Sequence, residues 1–334
     1  MLLTGVYLTS CGPKDEVKPD DSANKTTDSI PKFSTIPDTL SKIKIYKGAV
    51  QDLKPISWFV EFECYNNSFN DSCEKQDLIY IPKGTKLKAP TVGNGLPTFP
   101  SGTILTKTFY YWKDKRNYSL GKQLVETRVL YYNGKEWSGK TFAWNTEQSD
   151  AFFVKGGKSI PVSWINEVGK SYNFNFKIAS AIQCSECHVH IDHGEFLPIH
   201  FQIKNLNMIR PWEPKINQLD YFVQQGIMEP LNVASFSFVP NFNDETQTLE
   251  KRARGYLDTN CAHCHCPEGF AYEYTDLNLK FEVPIEETGI LNRKAVLISR
   301  MRSTDPKIRM PKIHTTLTDF KNIDLVEKYL NTLT

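Results

Sequence analysis

The chain has 334 residues, of which 40% are hydrophobic and 12% aromatic, enough for two or three domains with cores of their own and too apolar for a disordered polymer. Lysine and arginine number 40 against 38 acids, a net charge of +2, and the two signs are mixed along the sequence. No basic stripe or aromatic-basic RNA motif emerges, and no stretch approaches the roughly 20 apolar residues of a membrane span, so neither nucleic acid nor a transmembrane helix is expected.

Residues 1–9 are apolar and lack acids, a short export-type run without a basic start. Leu8-Thr9-Ser10-Cys11 resembles the lipobox of bacterial lipoproteins. That resemblance implies a signal segment over residues 1–11 and lipidation of Cys11; the plain alternative is a frayed terminus with an unmodified cysteine. Residues 12–40 begin with a run rich in Lys, Asp, Ser and Thr, which buries too little surface to order itself and reads as a tether.

Residues 41–178 read as a β-rich domain. Strands are expected at 104–111 and 124–132, with Asn133-Gly134 as a hairpin turn before Trp137. Further strands are expected at 142–144, 151–154, 160–164 and 172–178, with Gly156-Gly157 as a second turn. Short strands at this spacing suggest a sandwich or a small barrel. The region holds no histidine and no evident catalytic constellation. Cys64 and Cys73 flank a five-residue run of Asn, Ser and Phe, and in an exported protein a local disulfide between them is the natural reading.

The pattern then turns helical. Residues 216–223 carry helical spacing with Gly226 as a stop; Leu249, Ala253 and Leu257 form a stripe over 249–257; and Leu325, Val326, Tyr329 and Leu330 mark a last helix capped by Thr318 or Asn322. A first segment is expected over 179–240, and a C-terminal domain over 241–334.

These two segments each contain a C-x-x-C-H motif: Cys184-Ser185-Glu186-Cys187-His188 and Cys261-Ala262-His263-Cys264-His265. Covalent haem c attachment needs two thiols spaced to meet two vinyl groups and an adjacent imidazole for the iron, and five residues supply all three. Thioethers are therefore expected at Cys184, Cys187, Cys261 and Cys264, with His188 and His265 as iron ligands and two haem c groups as cofactors. A Cys₄ zinc site would make the histidine after each pair coincidental. A thioredoxin-like motif would need a βαβ context, and none is apparent.

Met310-Pro311 lies between the second motif and the last helix and resembles the distal arm of class I cytochromes c, which implies Met310 as the sixth ligand of the second haem. Met301 is the rival, in a context that reads as core. Arg300, Arg302 and Arg309 are candidates to pair with haem propionates. For the first haem the distal candidates are His190, His193, His200, Met208 and Met228, with His200 ranked first because Pro198 can fix its loop. His263 reads as an exposed filler, and Cys266 is unassigned.

The order of these motifs resembles a family of bacterial di-haem c-type cytochrome lipoproteins with a β-rich N-terminal region. The matching stretches include Phe99-Pro100-Ser101-Gly102-Thr103, Pro161-Val162-Ser163-Trp164, Asn217-Gln218-Leu219, Tyr256-Leu257-Asp258 and Arg300-Met301-Arg302-Ser303-Thr304-Asp305-Pro306, and they cover most of the chain from about residue 80 onward. The chain departs from the family at His200, where a small residue, usually glycine, is expected. The resemblance implies an α+β multidomain protein: a β-sandwich or barrel-like domain, then a mainly helical cytochrome c region with two haem sites. It implies an exported, lipid-anchored electron carrier of the periplasm or cell surface, with other cytochromes or a dehydrogenase as redox partners. The alternative is a di-haem enzyme such as a peroxidase, with a five-coordinate first haem.

Overall fold

The structure, a computed structural model, describes residues 33–190, 194–313 and 315–333. Cys11, the expected signal segment, most of the expected tether and His193 lie outside the described residues. The tether reading stops holding by Ile36, because Ile36 and Leu40 are buried against the body of the protein.

Apolar alternation and turn chemistry build the strands in sequence order. Phe59–Phe62 (β1), Glu74–Tyr80 (β2), Ile104–Trp112 (β3), Lys122–Tyr132 (β4), Trp137–Trp144 (β5) and Ala151–Phe153 (β6) form a six-stranded antiparallel meander, each strand pairing with the next. The β4–β5 turn follows the expected chemistry: the Asn133 side chain accepts the N–H groups of Lys135 and Glu136, and Gly134 takes a φ of 97° that a side chain would resist. Lys158–Ile165 (β7) and Ser171–Ile178 (β8) make a separate hairpin. Its alternate residues Ile160, Val162, Trp164, Phe176 and Ile178 pack on Phe109, Tyr111, Val125 and Ala143 of the sheet. The sheet stays open, so the architecture is a meander partly covered by a hairpin and not a closed barrel.

The helices follow: Ala181–His188 (α1), Ile203–Leu206 (α2), Gln218–Gln224 (α3), Leu249–Cys261 (α4), Lys294–Arg302 (α5) and Phe320–Leu330 (α6). The chain is thus α+β, with a β-rich region preceding a helical one. The last helix is capped by Asp319, whose side chain accepts the Asn322 N–H, and not by Thr318 or Asn322. α5 falls in a stretch expected to be loop; residues 295–298 form a continuous apolar run with no helical period, and only Leu297 and Met301 of the helix are buried.

Two cores organise the helices. Phe201, Ile203, Leu206, Leu219, Phe222 and Met228 share one core with Phe62, Ile79, Leu105 and Trp137, so the expected boundary at 178/179 does not separate two cores. The C-terminal segment has its own, in which Ala253, Tyr256 and Leu257 of α4 meet Ile323, Val326, Tyr329 and Leu330 of α6. Residues Pro31–Thr334 form one compact unit. Among the described residues no helix is long and apolar enough to cross a membrane.

Cys64 and Cys73 correct the sequence reading: both are free thiols. Cys64 belongs to the core shared with α2 and α3, where its Sγ lies 3.6 Å from the His200 carbonyl oxygen, and Cys73 packs against the hairpin core. The loop between them does other work. Asn66, 2% exposed, donates to the carbonyls of Val239 and Pro240 and accepts from the Phe242 N–H, while the Phe69 N–H donates to Asn260 of α4 at 2.7 Å.

Candidate functional site

The two C-x-x-C-H motifs, 77 residues apart at Cys187 and Cys264, line one cavity of about 590 Å³. Cys187 and His188 end α1, which starts on a capping box: Ser180 accepts the Gln183 N–H, and Gln183 accepts the Ser180 N–H in return. The second motif begins on the last residue of α4, Cys261, and continues into a tight turn. The chain then folds back over it. The Ala271 N–H donates to the Cys264 carbonyl at 3.0 Å, and a Cβ on Gly269 would stand 2.3 Å from that same oxygen, so only glycine fits the return.

Burial holds the His188 and His265 imidazoles neutral. His188 stacks on Phe196 with ring centroids 4.8 Å apart, and its Nδ1 lies 2.6 Å from the Leu197 carbonyl. That contact makes Nδ1 the protonated nitrogen and turns Nε2 toward the cavity as a lone-pair donor. Burial pushes the His188 imidazole down to about 4, and burial does the same for His265. His200, the expected first distal candidate, lines the same cavity as His188, and burial holds it well below the ordinary histidine range. His190 borders a smaller adjoining cavity of about 100 Å³, where His200 also appears. Met208 and Met228 are buried away from these walls, Met228 in the core beside α3.

Met310 also lines the main cavity, as does His265. Its N–H donates to the Arg300 carbonyl at 3.0 Å, which ties the Met310 loop back onto α5. Met301 is core, 4% exposed against α4 and α6. Of the three arginines, only Arg300 reaches the cavity; Arg302 pairs with Asp324 and Glu327, and Arg309 donates to the carbonyls of Thr315 and Thr316.

The thiols divide into two kinds. Cys187 and Cys264 meet at the centre, Sγ to Sγ 3.8 Å, and that contact, more than burial, raises the Cys187 thiol. Cys184 points to the sheet, 3.9 Å from Thr141 Oγ1, and Cys261 packs at the edge of the C-terminal core, where burial pushes its thiol up to about 12. His263, read as an exposed filler, is instead a wall residue. Its ring centre lies 5.9 Å from that of His200, and its buried Nδ1 has no hydrogen-bond partner among the described residues. Ligand atoms of Cys187, His263 and Cys264 lie within 4.8 Å of one another.

The sequence reading missed the floor of the site. Strand register places Asp77, Lys107, Arg128 and Thr141 in one row across the inner face of the sheet, between the two apolar cores. Lys107 pairs with Asp77 at 2.9 Å and Arg128 with Glu126 at 2.6 Å, and Lys107 and Arg128 line a small cavity together with His188 and His200. The signal was present: Lys107 falls on the inward parity of Leu105 and Phe109, where a charge is out of place in an ordinary core. From the 65–72 loop, Phe69 and Asn70 complete the wall.

Compared with known proteins, the chain matches no family model, no curated protein and no solved structure.

Proposed function

We propose that this chain is an exported di-haem c-type cytochrome that carries electrons, resembling the bacterial lipoprotein family named above and ending in a class I-like cytochrome c domain. The observation that supports it most is that Cys187 and His188 of the first C-x-x-C-H motif and Cys261, Cys264 and His265 of the second line one cavity, with Met310 and His200 on its walls. The donor set fits haem c. In this reading Cys184 and Cys187, and Cys261 and Cys264, form the thioethers, and His188 and His265 hold the two irons. Met310 would be the further ligand for the iron held by His265, and His200 the candidate for the iron held by His188. A bound haem iron supplies reversible one-electron exchange, its potential raised where methionine is an axial ligand.

The residues around the cavity act on position and charge. The Leu197 carbonyl keeps His188 in the tautomer a metal needs, and the sheet holds Arg128 beside it, already paired with Glu126. With a second imidazole, His200, on the wall of the cavity that His188 lines, the carrier reading is preferred to a peroxidase. Lipid attachment at Cys11 and redox-protein partners outside the cytoplasm complete the proposal.

One observation favours a second reading. Cys187, His263 and Cys264 alone offer a thiolate–imidazole set of the kind zinc takes, although Cys184 and Cys261 stay out of it. A reduced pyridine-haem spectrum with intact mass, taken on full-length protein expressed with haem-maturation machinery, decides between them. Two covalent haems are expected, and a zinc-only mass would overturn the haem reading. Two low-spin six-coordinate irons are expected in the electronic spectrum; a high-spin ferric signal that shifts with cyanide would make the protein an enzyme.

A further inference from the structure

Each motif sends its two thiols in different directions. Cys184 faces β5, outside the cavity lining, and Cys261 packs against the C-terminal core while also lining the cavity. The inner thiols, Cys187 and Cys264, come together at 3.8 Å, with Cys264 Sγ also 3.9 Å from the Glu186 carbonyl. The rings of His200 and His263 lie 5.9 Å apart, tilted by 55°, on the walls of the one cavity that both motifs share.

Resting on the haem reading above, we propose that Cys187 and Cys264 seat the two haems edge to edge as one redox-coupled pair, and not as two independent carriers. A thioether sulfur is bonded directly to a substituent of the macrocycle. Two such sulfurs in van der Waals contact therefore bring the two ring edges together, with no protein layer between them. Two consequences follow from chemistry alone. An electron crosses within the pair as one iron goes from ferrous to ferric and the other from ferric to ferrous, with no proton, bond or atom moved. The charge left on the first iron would oppose oxidation of the second, because charges that share a partly buried site are weakly screened from one another. The pair then takes up two electrons in two separated steps even if its sites are alike. His263, with a ring nitrogen within 4.8 Å of both sulfurs, is the residue positioned to tune that separation.

The test uses full-length protein carrying both haems. Electron paramagnetic resonance of the fully oxidised protein should show lines broadened by spin–spin interaction, and a spectroscopic redox titration should resolve two one-electron waves. A Cys261→Ser/Cys264→Ser variant that keeps only the first haem should show sharp, uncoupled lines and a single wave at a shifted midpoint. Sharp, independent lines in the doubly loaded protein overturn the proposal and leave the di-haem reading standing, whether or not the variant folds. Absence of covalent haem in the intact mass overturns both.

Discussion

At Asp71 and Ser72 the backbone turns left-handed, with φ of 54° and 61°, and this strained corner aims the Asp71 carboxylate at the far end of the chain. It accepts the Thr316 and Leu317 N–H groups at 2.7–2.9 Å, just beyond the Met310 loop. Asp71→Ala leaves two amides without their acceptor, at a cost of about 1–3 kcal/mol for each that stays unpaired. Urea denaturation should show that loss, and the spectroscopic signature of methionine ligation should weaken with it; unchanged stability and ligation would remove Asp71 from this role. Cys64 and Cys73 give a second residue-scale prediction. Burial pushes both thiols up to about 12, so both should resist alkylation at pH 8 in the native protein and react fully once it is unfolded without reductant. Recovery of a Cys64–Cys73 disulfide peptide would restore the reading from sequence.

Between elements, α2 and α4 are locked by a buried ion pair. Lys204 Nζ lies 2.8 Å from Asp258 on the turn of helix before Cys261, and it reaches Glu282 as well. Asp258 also accepts the Phe281 N–H, so one carboxylate fixes the helix that presents the second motif and the segment that crosses it. Lys204→Met strands that carboxylate with a single donor, and stability should fall by about 3–5 kcal/mol. A loss below about 1 kcal/mol by chemical denaturation would show that Asp258 is satisfied without Lys204. Of the elements themselves, β3 to β8 were legible because alternation and the Asn133-Gly134 turn are local, whereas β1 and β2 were not expected from the sequence. α4 and α6 were legible through their stripes. α1 was not: its eight residues bury none of their side chains fully, and what defines it is the Ser180–Gln183 capping box.

Over the whole molecule, the sheet is more than a neighbour of the helical region. Its inner face carries a row of charges under the cavity, and beside that row Lys75 donates to the Ser68 carbonyl of the loop that lines the site. Burial pushes the Lys75 ammonium down to about 8 from 10.5. The folded protein therefore binds this proton more weakly than the unfolded chain does, and between pH 8 and 10.5 the unfolded state carries more protons. This group's contribution to stability should rise with pH across that window and be flat below pH 8. Lys75→Met should flatten the rise, as followed by urea midpoints at pH 7.5, 9 and 10.5; a rise that persists in the variant would assign it to other groups.

By itself, the sequence determined what depends on neighbours along the chain: the two C-x-x-C-H pentapeptides, the strand alternation, the helical stripes and the Met310-Pro311 pair. Only the tertiary structure decided that Cys187 and Cys264 meet, that His263 is a wall residue, and that Cys64 and Cys73 lie in different cores with their loop clamping the C-terminal region. Spacing and periodicity report the order within one turn or one strand. Contacts between residues 77 or 245 positions apart depend on which apolar faces find each other, and no local pattern carries that information.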